Sequence, residues 1–226
     1  MVRILGSIIE IENDFIVYPI KYYNSKYNAD SGSQSPCDSF KSYIDIRSFI
    51  LKGAFPDKLN YIIDSVIISD KYRTVDEFAW NFDNEFQTRN IIFNIIFFDR
   101  DFITFSFLID TYGCGAAHNM YSIDYINYDI SSNRILRLSD LIPRQMFEKL
   151  ETICKGKFKT KYKKSDQEID DFKLPQSYAI LRKGILFQFQ PYEMGPFSEG
   201  AMTIFLPYSE VSVLLNQSET VSKLLR

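Results

Sequence analysis

From Ile91 onward, apolar residues recur with a period of two. Ile91, Phe93, Ile95 and Phe97 share one face, and after Asp99-Arg100-Asp101 so do Ile103, Phe105, Phe107 and Ile109. Such alternation around a charged turn predicts a long antiparallel hairpin. A third strand is expected over 121–130, turning at Ser131-Ser132-Asn133 into a fourth over 134–138. Residues 178–182 and 185–190 predict a second hairpin with a Lys183-Gly184 turn, Ile185, Phe187 and Phe189 facing in and Gln188 and Gln190 facing out. Another strand covers 201–206. Upstream, 4–11 and 15–23 read as a hairpin around Asn13-Asp14, and 40–49 reads as a strand.

Helical spacing occupies separate stretches. Pro56 opens one helix with Leu59, Ile62, Ile63, Val66 and Ile67 on one face; the capping box Thr74-x-x-Glu77 opens another carrying Val75, Phe78, Ala79, Phe82 and Phe86. Pro143 starts a third, faced by Met146, Phe147, Leu150, Ile153 and Cys154, with Gly156 offering an end. Ser209 caps a short C-terminal helix carrying Val211, Leu214 and Leu215. Runs of strands with segregated helices and no βαβ rhythm predict an α+β fold with antiparallel sheets. A split into two lobes, 1–90 and 91–226, fits the same pattern.

At 226 residues with 46% hydrophobic and 24% charged residues, the chain has ample material for a core. Its 20 Phe and 15 Tyr suit half-buried sheet surfaces. A formal charge of −3 argues against general nucleic-acid binding. No run approaches the roughly 20 apolar residues that span a bilayer. The apolar stretch after Met1 is interrupted by Glu10 and Glu12, too soon for a signal peptide, which points to the cytoplasm. Lys155, Lys157, Lys159, Lys161, Lys163 and Lys164 share one face on a strand and scatter on a helix; with Asp166, Glu168, Asp170 and Asp171 following, they read as solvated surface.

Candidate chemistry gathers around Asp110-Thr111-Tyr112-Gly113-Cys114-Gly115-Ala116-Ala117-His118-Asn119, a glycine loop holding the single histidine. Glycine there permits positive φ and close approach of another backbone. Cys37, Cys114 and Cys154 leave at least one thiol unpaired and form no C-x-x-C, so no zinc site is expected. A hydrolase would have to use His118 with Cys114 or Glu193; the alternative is that His118 pins its loop by a hydrogen bond. Neither His118 with Asp124, Asp129, Glu193 or Glu199 as a metal set, nor Glu193 with Glu199 as an acid–base pair, has a distinctive spacing. No phosphate-cradling or dinucleotide loop occurs, so no cofactor is expected. Binding is the more economical role. Tyr112, Tyr121, Tyr192 and Phe197 would rim the loops with rings, the residue types enriched at interfaces.

Several motifs in order resemble a bacterial family. Gly115-Ala116-Ala117-His118 is similar to its glycine-glycine-alanine-histidine signature, with Ala116 in place of the second glycine. Tyr125-Ile126-Asn127-Tyr128-Asp129, Leu138-Ser139-Asp140-Leu141, the loop Tyr192 to Gly200 and Pro207-Tyr208-Ser209-Glu210 follow its later elements. The match runs from about Phe93 to Val211. This family comprises the paired domains of unknown function in the extracellular part of the anti-sigma factor RsiV and at the front of the peptidoglycan deacetylase PdaC. The resemblance implies an α+β, envelope-exposed domain without catalysis of its own, whose partner is a lysozyme-like protein or a cell-wall component. Glu193 or Glu199 would then stand at the rim of the contact, beside Tyr192, Phe197 and the His118 loop. A cytoplasmic, toxin-neutralising binding protein is the alternative if no leader precedes the chain.

Overall fold

The computed structural model describes the backbone of 2–4, 7–9, 11–12, 20–21, 43–47 and 50–51, residue Tyr61, and the chain from 87 to 226, with side chains at Tyr61 and from 88 onward. Apart from helical Tyr61, the helices expected over 56–67 and 74–86 lie outside the described residues. Two compact units are present: Met1–Phe93 with Leu108–Tyr121, and Asn94–Phe107 with Ser122–Arg226. The glycine loop therefore belongs to the first unit and the loop 191–200 to the second.

In the first unit the strands are β1 (Val2–Ile4), β2 (Ser7–Ile9), β3 (Ile11–Glu12), β4 (Ile20–Lys21), β5 (Tyr43–Arg47), β6 (Ile50–Leu51) and the start of β7 (Gln87–Phe98). β1 pairs with β2, β3 with β6 and β4 with β5, all antiparallel. The expected pairing of 4–11 with 15–23 is thus replaced by a tighter hairpin of β1 with β2 and by longer-range partners for β3 and β4. Strands of two or three residues carry too little pattern to specify a local register. β5 runs parallel to β7, from Tyr43↔Thr88 to Arg47↔Ile92. A parallel pair needs a long crossover, and residues 48–86 supply it.

The second unit holds the rest of β7, half of β8 (Phe102–Gly113), most of β9 (Met120–Asp129), then β10 (Arg134–Ile135), in the order β10-β9-β8-β7. The fold class is α+β with antiparallel sheets, as the alternation predicts. β10 is shorter than expected: Leu138 to Leu141 form helix α1 instead, with the Asp140 carboxylate accepting the Arg137 N–H at 2.7 Å and Leu138 and Leu141 both buried. Helix α2 (Phe147–Tyr162) passes through Gly156 and stops at Lys163, whose φ is 54°. Its buried stripe Leu150, Cys154 and Phe158 continues past the glycine, and that packing outweighs the roughly 1 kcal/mol helical cost of Gly.

β11 (Ser177–Leu181), β12 (Gly184–Phe189) and β13 (Met202–Pro207) make a three-stranded antiparallel sheet, followed by helices α3 (Tyr208–Val211) and α4 (Glu219–Leu224). Leu181 faces Gly184, so the turn is Arg182-Lys183, one residue earlier than expected. A Cβ on Gly184 would lie 2.1 Å from the Leu206 carbonyl oxygen, so glycine is required by this close approach. Ser209 lies inside α3 rather than capping it; the capping serine is Ser218, which accepts the Val221 N–H at 3.2 Å and starts α4. The core joins Phe102, Leu150, Phe158, Phe172, Phe187, Phe189 and Leu206, with Phe158 stacked edge-on to Phe189 at 5.0 Å.

Polar side chains tie β8 and β9 to β11 and β12. Asn127 Oδ1 accepts the Ile180 N–H at 2.7 Å and the Thr104 hydroxyl at 3.2 Å, while its Nδ2 donates to the Tyr178 carbonyl at 2.9 Å. Gln190 makes both bonds of a strand neighbour to Ile123, accepting its N–H at 2.9 Å and donating to its carbonyl at 2.7 Å. Gln188, expected to face out, is buried: its oxygen accepts the Tyr125 hydroxyl at 3.1 Å and its nitrogen donates to the carbonyls of Phe189 and Met202. The amides find backbone partners, which is the condition for burying them.

Candidate functional site

In the first unit, β8 ends at Gly113 and β9 resumes at Met120. Gly115 has φ 82°, so one glycine of the loop is needed for its conformation. Neither Gly113 nor Gly115 has another atom near its missing Cβ, so the expected close backbone approach is absent. His118 Nδ1 lies 2.8 Å from the Asn119 carbonyl oxygen, and that acceptor requires the proton on Nδ1. Asn119 Nδ2 also donates to Asp110, whose other oxygen accepts Asn90 Nδ2 at 3.3 Å. The histidine and asparagine together fasten this loop. Tyr112, His118 and Tyr121 are each half-buried. Cys114 is disulfide-bonded, so it carries no thiolate in this state, and Cys154 is the free, buried thiol, pushed up to about 12 by burial and then by Glu151.

The second unit offers a different surface. Tyr192 has φ 72° and is 55% exposed. A bulky residue at positive φ costs on the order of 1–2 kcal/mol. Its ring lies 5.6 Å from that of Phe197, which opens the short 3-10 turn Phe197–Glu199. Glu193 folds back on its own loop: its carboxylate accepts the Gln190 N–H at 2.6 Å, and its N–H donates to the Gln190 carbonyl. Glu199 binds Lys164 through both oxygens, at 3.0 and 2.8 Å.

Below this loop opens a cleft of about 450 Å³ lined by Lys164, Glu168, Asp171, Glu193 and Glu199 over an apolar floor that includes Phe172 and Met194. Four carboxylates against one ammonium leave the cleft negative. The hydrogen bond to Glu199 raises Lys164 above its ordinary value, with Glu168 adding to it. The Ser165 N–H and then its hydroxyl hold Glu168 below the usual carboxylate range.

The sequence-predicted residues Tyr192, Glu193, Phe197 and Glu199 thus share one loop. Lys164, Glu168 and Asp171, read as anonymous solvated surface, line the cleft beside it. No short-range signal marks them, because the turn after Lys163 and the 3-10 turn Gln167–Ile169 fold them back under the loop. Tyr125 is half-buried, while Asn127 and Asp129 are interior: Asp129 accepts Ser131 Oγ at 2.8 Å and the Ser132 N–H at 2.9 Å to hold the turn into β10. Burial alone would raise its carboxyl; the bonds from Ser132 and Ser131, with the Lys223 charge, bring it below its ordinary value. Among the described residues no group of three or more His, Cys, Asp or Glu side chains could hold a metal ion, and no helix is long and apolar enough to cross a membrane.

Residues 134–209, from β10 into α3, match a family described as a protein of unknown function, DUF3298. A solved member of that family from Bacteroides fragilis NCTC 9343 superposes with a TM-score of 0.73 at 14% identity, covering 97% of this chain and 98% of its own. A DUF3298 family protein from Pseudomonas aeruginosa PAO1 gives 0.68 at 15%, covering 92% and 95%. No curated protein sequence matches the chain. Nearly its whole length therefore shares its fold with solved DUF3298 proteins, and residues 134–209, about a third of the chain, match the sequence pattern of that family.

Proposed function

We propose that this chain is a non-catalytic recognition module of the cell envelope whose binding face includes the loop 191–200 and its acidic cleft. Its ligand is a basic protein of the lysozyme type or a cell-wall component. The observation that carries this is Tyr192, a bulky residue held at φ 72° with more than half its surface in solvent. Strained, exposed residues concentrate at binding sites. Phe197 beside it and the carboxylates below it supply an aromatic anchor with an acidic rim, suited to a cationic partner.

Two further observations support the reading. The disulfide at Cys114 favours an oxidising compartment. Resemblance to the RsiV and PdaC domains favours a hydrolase or wall ligand over a small metabolite. The hydrolase alternative draws little support, with Cys114 in a disulfide and Glu193 committed to the Gln190 amide.

The test is a pull-down with immobilised lysozyme-like hydrolase and, in parallel, with insoluble peptidoglycan, comparing the unaltered chain with Tyr192→Ala and Asp171→Lys. Retention that both substitutions weaken, and that falls with added salt for the hydrolase, is the expected result. Failure to retain on either matrix overturns the ligand class. Retention indifferent to both substitutions overturns the face.

A further inference from the structure

We propose that the cleft under the loop 191–200 is a socket for an arginine side chain of a protein partner, with Asp171 as the carboxylate that receives the guanidinium. The inference rests on the binding face proposed above and names what enters it. Of the four carboxylates lining the cleft, three are already held by the chain itself. Glu193 accepts the Gln190 N–H at 2.6 Å, and Glu168 accepts both the N–H and the hydroxyl of Ser165 at 2.8 Å. Glu199 lies against Gly195, where a Cβ would come within 2.7 Å of its Oε2, and grips Lys164 with both oxygens. The Asp171 carboxylate is different. It is exposed and makes no hydrogen bond or ion pair with the described residues.

Lys164 shows what kind of group the cleft accepts. Its ammonium sits 2.8 and 3.0 Å from the oxygens of Glu199 and 3.7 Å from Glu168, with only 13% of the side chain exposed. A second cation entering beside it would meet Asp171 with its head and Ile169, Phe172 and Met194 with its apolar stem. At about 450 Å³ the cleft lies within the usual range for ligand pockets, so a side chain can enter rather than rest across its mouth.

The geometry selects arginine over lysine. Both oxygens of Asp171 are open, and a guanidinium fork bonds such a pair together, whereas an ammonium acts as a point charge. Guanidinium is also the more weakly hydrated cation, which suits a cleft with an apolar floor. The ring pair Tyr192 and Phe197 on the same loop offers a surface to residues flanking that arginine, which a protein has and a free amino acid lacks.

Chemical-shift titration of the full, isotope-labelled chain tests the socket. The probe is the peptide acetyl-Gly-Arg-Gly-amide, with its lysine and citrulline counterparts alongside. The arginine peptide is expected to shift the amides of 168–172 and 193–199 saturably, the lysine peptide more weakly, and the neutral citrulline peptide not at all. Asp171→Asn should weaken the arginine peptide about fivefold. An arginine peptide that shifts these amides no more than citrulline does overturns the socket, and so does binding that Asp171→Asn leaves unchanged. If the socket fails in this way while immobilised lysozyme-like hydrolase is still retained through Tyr192, the binding face stands and only its occupant is wrong. Peptide bound through Asp171 by a chain that neither matrix retains upholds the socket and rejects the ligand class.

Discussion

Asn127 and Tyr192 belong to the same unit and both lie in stretches that resemble family motifs, yet Asn127 is 3% exposed and Tyr192 is 55% exposed. Asn127 makes three hydrogen bonds to protein groups, two of them to the β11 backbone. Its polarity is consumed by architecture, since a buried amide without partners costs more than its bonds return. Tyr192 bears the opposite signature, with an unfavourable φ, a solvent-facing ring and an aromatic neighbour. A buried polar residue is accounted for by the groups it satisfies; an exposed strained one is, under the proposed function, accounted for by a partner. The difference separates motif residues that hold the sheets together from those that offer a surface.

The comparison breaks most visibly at Asn127. Asn127→Ala orphans the Ile180 N–H and the Tyr178 carbonyl, so unfolding in urea should show a loss of about 3 kcal/mol or more. A loss within error would mean that water replaces the amide, and the joint between the sheets would need another explanation. Gly184→Ala comes next. The new Cβ meets the Leu206 carbonyl oxygen, which is backbone and cannot swing aside, so about 2 kcal/mol should be lost with little change in denaturant sensitivity.

Smaller, and readable by pH, are the effects at two titrating groups, Asp129 and Tyr178. Asp129 has a lowered carboxyl, so its contribution is present above the ordinary value near 4 and is lost as pH falls through the folded one. Asp129→Ala should cost about 1 kcal/mol at neutral pH and flatten the acid limb of stability. Tyr178 is pushed up to about 12 by burial, with its hydroxyl donating to the Leu136 carbonyl at 3.2 Å. A raised phenol contributes fully below about pH 10, and that contribution fades as pH climbs toward the folded value. Tyr178→Phe should flatten the alkaline limb in melting experiments.

The interior was the more legible part of this molecule. The period of two over Ile91 to Ile109 dictates strands, although β8 buries both faces from Phe102 to Phe105, and the inward set Ile185, Phe187 and Phe189 dictates a face as well. The failures came where a single polar contact, distant or local, overrode the pattern. Gln188 looked outward by alternation because the Tyr125 hydroxyl, 63 residues away, is invisible to any window of sequence. Leu138 looked like strand because a single carboxylate, Asp140, turns the chain into α1. At the candidate site the loop 191–200 was legible through its Gly, Pro and aromatic residues. The cleft was not, since Lys164, Glu168 and Asp171 reach it only through the fold.

The smallest expected stability effect is at Tyr192, and it sharpens the comparison from the other side. If the ring serves a ligand rather than the core, Tyr192→Ala should leave folding stability within about 0.5 kcal/mol while weakening retention on the partner matrix. Alanine still meets the unfavourable φ, whereas glycine does not. Tyr192→Gly should therefore be more stable than Tyr192→Ala by up to about 1 kcal/mol, measured by thermal unfolding of the pair side by side. Glycine also loosens the unfolded chain, which trims that gain without reversing it. A drop of 2 kcal/mol or more for either substitution would show that the ring is a structural member. Tyr192 would then stand with Asn127 as part of the interior's architecture, and the binding face would have to be sought elsewhere on the unit.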